Sequence, residues 1–189
     1  MSYDDEEQML ETPMSARFRG YLPVVVDIEC GGFNAKTDAI LEIGAVILGF
    51  NEKGHLGIEQ TFFQRVIPFA GSNIEEAALK FTGIDPYHPL RIARAEKDVF
   101  EDMFRIIRSA LKTNQCKRAI LVAHNAHFDH GFINAATDRH ALKRNPFHPF
   151  SVTPEARPPP RASQAMSMWQ IPMKVSGTVL PAMAVASAP

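Results

Sequence analysis

Two acidic residues end an otherwise apolar segment, VVVDIE, at residues 24–29. Alternate side chains of an extended strand lie on one face, so Asp27 and Glu29 should project together, with Val26 and Ile28 on the opposite face. Two adjacent carboxylates are costly to desolvate unless a cation or hydrogen-bond donors neutralise them. Because hard oxygen ligands favour Mg²⁺ or Mn²⁺ over zinc, the pair predicts a divalent metal site, with a salt-bridged pair at the solvent edge as the alternative.

A second polar motif, AHNAHFDH at residues 123–130, follows the apolar segment AILVA. Asp129 lies near the start of a predicted helix, where a carboxylate is electrostatically favoured and can reach a neighbouring strand. The alternative is an ordinary helix N-terminal acid. Three histidines also lie here, at 124, 127 and 130, but the loop has neither the cysteines nor the repeated spacing typical of a zinc site.

The elements that must position these acids can be predicted from hydrophobic spacing. Short apolar segments rich in β-branched residues predict strands at 22–28, 39–48, 60–66 and 119–123, the first three antiparallel. Apolar residues three and four apart, together with capping residues, predict helices at 75–81, 96–113 and 128–142. We expect Ser72 or Asn73 to cap the first helix and Gly83 to end it. This order of elements predicts an α/β fold with a mixed sheet flanked by helices.

Composition places the chain among ordinary globular proteins. It has 189 residues, of which 46% are hydrophobic and 22% charged, with a net charge of −1. No unbroken apolar stretch approaches the length of a membrane span, and the acidic N-terminus is unlike a signal peptide, so we expect a cytoplasmic protein. Two cysteines, Cys30 and Cys116, provide neither a disulfide framework nor a zinc ligand set.

The acidic and basic residues are unevenly distributed, since residues 4–11 contain five of the 21 acids. Basic residues cluster in three places: Arg17 and Arg19; Arg105, Arg108, Lys112, Lys117 and Arg118; and Arg139, Lys143 and Arg144. Such clusters are typical of a nucleic-acid partner, although solvated helix faces explain charge alone equally well.

The chain divides into three parts by composition. Residues 1–16 are predicted to be a polar leader, and residues 17–150 have the pattern of a folded domain. Residues 151–189 contain seven prolines and seven alanines and show no lasting period. They are interpreted as a Pro/Ala-rich disordered tail or linker, or as an aberrant terminus produced by a frameshift or by engineering.

Longer segments around both acidic motifs carry a family resemblance: residues 17–45, GIDP at 83–86, 119–132, and LKRNPFHPF at 142–150. They resemble the DEDD superfamily of 3′-to-5′ exonucleases, which have a ribonuclease H-like sheet, and within it the ribonuclease T family. The resemblance implies a homodimer that trims the 3′ ends of tRNA and other small stable RNAs, or single-stranded DNA ends. It also implies two Mg²⁺ ions, for which Mn²⁺ can substitute, with Asp27, Glu29 and Asp129 as catalytic and metal-binding residues.

The resemblance further implies two sets of substrate-binding residues. Rings that stack on the last nucleotides correspond to Phe33, Phe81, Phe128 and Phe150, with core packing as the alternative for each. A basic patch that faces the partner subunit's active site in the dimer corresponds to Arg17, Arg19, Arg118, Lys143 and Arg144.

One part of the family pattern is missing. The third motif, a histidine followed five residues later by an aspartate, should come after Phe150, but the last histidine is His148 and the last aspartate is Asp138. The general base and the fourth metal-binding carboxylate are thus absent, so we expect impaired activity. Two alternatives stay open: a non-catalytic RNA-binding or dimerising remnant, and a metal-dependent nucleotide phosphohydrolase.

Overall fold

A computed structural model describes residues 13–51, 53–154, 174–175 and 178–179. The chain forms two compact units, Met1–Pro154 and Glu155–Pro189. In the first unit, described residues form α1 (Pro13–Arg17), β1 (Tyr21–Cys30), β2 (Ile40–Phe50), β3 (Leu56–Ile67), α2 (Glu76–Thr82), β4 (Arg94–Ala95), α3 (Glu96–Thr113), β5 (Arg118–Val122), α4 (Ala126–Arg139) and β6 (Phe147–Val152).

The six strands form one mixed sheet in the order β4-β3-β2-β1-β5-β6. β1 pairs antiparallel with β2, and β2 pairs antiparallel with β3, as predicted. The other neighbours, β3 with β4, β1 with β5, and β5 with β6, are parallel. β1 and β3 are therefore the strands at which the sheet changes between antiparallel and parallel pairing.

The core lies between one face of the sheet and the helices. Val24, Val26 and Ile28 of β1 are buried on that face, as the alternation predicts. The apolar side of α3, including Phe100 and Phe104, is fully buried. α3 contacts β2, β3, β4 and β5, while α4 contacts β1, β5 and β6. The predicted α/β fold with a mixed sheet flanked by helices is confirmed.

Several local predictions differ from the structure. α2 has Glu75 at its N-cap with no side-chain cap, because the Asn73 side chain donates instead to Asp38 Oδ1 (3.1 Å). Gly83 does end α2, with a left-handed φ of +69°, and its N–H donates to Leu79 O. α4 begins two residues earlier and ends three residues earlier than predicted.

Both predicted domain boundaries fall inside secondary structure. α1 begins at Pro13 within the predicted leader, and its Met14 is buried in the core cluster. β6, which was not predicted, continues to Val152 because its backbone pairs with β5. Residues 1–12 of the leader lie outside the described residues, as does most of the predicted tail.

In the second unit, β7 (Lys174–Val175) pairs antiparallel with β8 (Thr178–Val179). Across the described ranges of both units, no helix combines the length and the apolar character needed to cross a membrane.

Candidate active site

β1 holds Asp27 and Glu29 on the face of the sheet opposite the buried valines. Asp27 is exposed and Glu29 is half-buried, whereas their neighbours Ile28 and Cys30 are buried. In the register with β2, Asp27 lies opposite Gly44 and Glu29 lies opposite Glu42. The predicted shared face of the two carboxylates is thus present.

The start of α4 brings Asp129 to the same place. Its side chain is only 6% exposed, and its Oδ1 accepts a hydrogen bond of 3.1 Å from the backbone N–H of Ile28. Ile28 lies between Asp27 and Glu29, so this bond ties the third carboxylate to the strand that carries the other two. The two residues are 101 positions apart in sequence, so only the fold brings them together.

The pKa values of all three acids are raised above their ordinary values. Burial and the charges of Asp27 and Glu29 raise the pKa of Asp129 from 3.8 to about 6. Partial desolvation raises the pKa of Asp27. Burial, together with the charges of Asp27 and Glu42, raises the pKa of Glu29. Desolvation is the main cause of all three shifts, and neighbouring negative charges add to those of Glu29 and Asp129.

Two arginines lie near this site, but both are engaged by Glu42. Arg65 Nε is 3.3 Å and Arg91 Nη2 is 3.9 Å from Glu42 Oε1. Arg91 also donates to the backbone carbonyls of Leu41 and Val66, which fixes it between β2 and β3. No local sequence pattern predicts this cluster, because its members come from separate elements of the fold.

Hard carboxylate oxygens with raised pKa values suit a divalent cation such as Mg²⁺. Within the described residues, however, no group of three or more His, Cys, Asp or Glu side chains has an arrangement that would hold a metal ion. Metal binding by Asp27, Glu29 and Asp129 accordingly stays a prediction, supported by donor chemistry and by the bond from Ile28.

Two of the four predicted stacking rings, Phe33 and Phe128, are in contact with each other. In sequence, Phe33 follows Glu29 by four residues and Phe128 directly precedes Asp129. Phe33, which follows β1, is 83% exposed, and its ring centroid is 6.1 Å from that of Phe128. Phe128 is half-buried against Phe132, at 4.9 Å between centroids. Phe81 and Phe150 are also exposed, so core packing does not account for Phe33, Phe81 or Phe150.

The residues of the predicted basic patch are all exposed: Arg17, Arg19, Arg118, Lys143 and Arg144. Two hydrogen bonds to backbone carbonyls bring their segments together. The N–H of Lys117 donates to Gly20 O (2.7 Å), and Arg118 Nη2 donates to Asn145 O (3.0 Å). These segments meet where β1, β5 and β6 begin.

The basic segments and the carboxylates lie towards opposite ends of β1. Tyr21, at the start of β1, pairs with Arg118, and Asp27 follows six residues later. At about 3.3 Å per residue, this separation is about 20 Å along the strand. A nucleic acid that contacts both regions of one chain must span that distance.

The chain is similar in sequence to a curated ribonuclease. A ribonuclease T from Hahella chejuensis is 57% identical over 142 residues, which cover 75% of this chain and 65% of that protein. This chain thus spans slightly less than two thirds of the relative's length.

Solved structures show the same fold. E. coli exonuclease I in complex with a dT13 oligonucleotide has a TM-score of 0.51 at 14% identity, over 64% of this chain and 24% of that chain. A product-bound exonuclease I has a TM-score of 0.51 at 13% identity, over 64% and 26% of the two chains. Residues 24–155, which include both acidic motifs, match the RNase T family, described as exonuclease, and the chain belongs to that family.

Proposed function

We propose that this chain is a 3′-to-5′ exoribonuclease that trims the 3′ ends of tRNA and other small stable RNAs. The observation that carries the proposal is the hydrogen bond from Ile28 to Asp129, which holds a buried third carboxylate next to Asp27 and Glu29. The 57% identical ribonuclease T supports RNA as the substrate. A structural neighbour solved with an oligonucleotide bound is consistent with a nucleic-acid substrate. We propose that the chain acts in the cytoplasm, where such RNAs mature.

Asp27, Glu29 and Asp129 would hold two Mg²⁺ ions, for which Mn²⁺ can substitute. When bound, two such ions supply Lewis-acid stabilisation of the attacking and leaving oxygens of an in-line phosphodiester displacement. The protein contributes a fixed array of carboxylates, because β1 sets the spacing of two acids and Ile28 orients the third.

Substrate binding would combine stacking and phosphate contacts. Phe33 and Phe128 offer adjacent rings, and every base has a face that can stack on an aromatic ring. The basic patch would position the RNA through its phosphates without reading sequence. Because patch and carboxylates are about 20 Å apart along β1, we propose a homodimer in which the patch of one subunit serves the carboxylates of the other.

The rate of this chain should be low. Within its 189 residues, no histidine follows His148 and no aspartate follows Asp138, where the family's third motif is expected. A positioned general base contributes roughly 10²- to 10⁴-fold to such reactions. A second candidate function, RNA binding without cleavage, is favoured by this same observation.

The test is a cleavage assay on single-stranded RNA labelled at its 5′ end, with Mg²⁺ and with EDTA. The proposal predicts a ladder that shortens from the 3′ end, needs metal and disappears in Asp27→Asn. Binding of the RNA without a ladder would identify the non-cleaving alternative. Hydrolysis of nucleoside triphosphates in place of RNA would identify a nucleotide phosphohydrolase and overturn the proposal.

A further inference from the structure

An ionic cluster around the buried Glu96 joins the start of α3 to the end of α4. Glu96 is 3% exposed, and its Oε2 lies 2.6 Å from Arg139 Nη1 and 2.7 Å from His140 Nε2. The other carboxylate oxygen, Oε1, is buried without a hydrogen-bond partner. Removing the cation from a buried pair leaves an uncompensated charge, so Arg139 is strongly held in place.

Arg139 also reaches the loop between β1 and β2, residues 31–39. Its Nη2 donates to Ala35 O at 3.2 Å, across 104 residues of sequence. Its guanidinium carbon lies 3.7 Å from the centre of the Phe69 ring, within range of a cation–π interaction. One side chain thus links both helices to the loop that follows the acidic motif.

The far end of the same loop is fixed by a second buried acid. Asp38 accepts hydrogen bonds from the N–H of Asn34 (2.9 Å), the hydroxyl of Thr37 (2.8 Å) and the side-chain amide of Asn73 (3.1 Å). Burial alone would raise the pKa of Asp38, but these donors lower it. Phe33 lies two residues before Ala35 in this loop, and its ring is exposed to solvent.

We propose that Arg139 is a positioning residue that fixes the 31–39 loop and thereby holds Phe33 ready to stack on the 3′-terminal base. The role of the base rests on the proposed function; the anchoring of the loop does not. Arg139 would touch neither RNA nor the carboxylates. A loop that must be ordered on binding lowers affinity, so loss of this anchor should weaken 3′-end binding.

A purely structural role, in which Arg139 only joins α3 to α4, makes a different prediction for Arg139→Lys. A lysine ammonium can pair with Glu96, but it lacks the planar fork that donates to Glu96 and Ala35 together. Arg139→Lys should therefore retain most of the stability that Arg139→Gln loses, while both variants release the loop. Arg94→Gln is the matched control, since Arg94 forms an ion pair with Asp102 of α3 and not with the loop.

The first measurement is amide hydrogen exchange on the full chain without RNA. In both Arg139 variants, we expect the loop amides that donate to Asn34 O, those of Thr37 and Asp38, to exchange about tenfold faster or more. In Arg94→Gln they should exchange at the wild-type rate. Unchanged exchange of these amides in Arg139→Lys and Arg139→Gln would overturn the proposal.

The second measurement is a fluorescence titration in EDTA with a short RNA that carries 2-aminopurine at its 3′ end, whose emission is quenched on stacking. Arg139→Gln should weaken binding about tenfold in the wild-type background, but less than about twofold in the Phe33→Ala background. An equal loss in both backgrounds would show that Arg139 does not act through Phe33. If the wild type binds the RNA without quenching the probe, Phe33 does not stack on the terminal base and the positioning proposal fails. The exoribonuclease proposal is tested separately by the cleavage ladder.

Discussion

Replacing Asp129 with asparagine should stabilise the metal-free protein. Asparagine keeps the Oδ1 acceptor for the Ile28 N–H but removes a charge that the buried site disfavours. Because the folded state raises the pKa of Asp129 from 3.8 to about 6, ionising this carboxyl near neutral pH costs about 3 kcal/mol of folding free energy. Asparagine does not ionise, so the folding free energy of the variant does not include this cost.

The sign of the pH dependence follows from the same shift. The folded-state pKa lies above the unfolded value, so the stability linked to the neutral carboxyl is present below 3.8 and is lost as pH rises through about 6. The advantage of Asp129→Asn should approach its full size above about pH 7 and shrink towards zero below about pH 4.

The assay is urea unfolding in EDTA at several pH values, repeated with excess Mg²⁺. Ligand at about a hundredfold its dissociation constant stabilises the native state by about 2.7 kcal/mol, so Mg²⁺ should narrow or reverse the difference between wild type and variant. Asp138→Asn, an exposed acid on the same helix, should change stability by no more than about 0.5 kcal/mol. If Asp129→Asn destabilises the metal-free protein near neutral pH, then ionised Asp129 does not cost folding free energy and the raised pKa is wrong.

Three further predictions concern the metal, the RNA and the loop. Calorimetric titration should detect Mg²⁺ or Mn²⁺ binding to the wild type, and Asp27→Ala should abolish it because the strand then presents a single acid. Arg17→Ala combined with Lys143→Ala should reduce the slope of log affinity against log salt by about 1.4–1.8, the value for two lost phosphate contacts. Gly32→Ala should lower the free energy of unfolding by about 1–3 kcal/mol in a denaturation experiment, whereas Gly57→Ala, which has open space, should not.

For each of these three experiments, one outcome would refute the prediction. Metal binding that survives Asp27→Ala would remove that residue from the site. A salt slope unchanged by the double variant, and equal to that of Lys53→Ala on the β2–β3 turn, would mean that the basic patch is a solvated surface. A stable Gly32→Ala protein would show that Asp38, whose Oδ2 a Cβ at Gly32 would meet, can move without loss.

Local sequence patterns were sufficient for the central strands and the long helix. β1, β2 and α3 bury one face each, so the period of their apolar residues reports their structure directly. β6 has no such period, since FHPFSV contains a proline and only Phe147 is buried. Its structure depends on pairing with β5, a tertiary contact that the segment itself does not encode.

The candidate site likewise combines local features, which the sequence predicts, with tertiary contacts, which it does not. The shared face of Asp27 and Glu29 is a local property of a strand, and it was predicted. The contact of Arg139 with Ala35 spans 104 residues of sequence. The Asn73 side chain donates to Asp38 and does not cap α2, the helix that follows it. Such contacts depend on side chains that meet only after folding, so neither hydrophobic period nor capping preference could indicate them.

The pairing of β1 explains why Asp27, Glu29 and Asp129 meet at its carboxyl end. On one side the antiparallel β2 supplies Gly44 and Glu42 opposite the two acids. On the other side the parallel β5 ends at the same edge as β1, so the helix that follows it begins there and delivers Asp129. Ligands in open α/β sheets bind beyond the carboxyl ends of strands where the connections diverge. An antiparallel strand in the place of β5 would carry the start of α4 to the opposite edge, and Asp129 could not receive the hydrogen bond from Ile28.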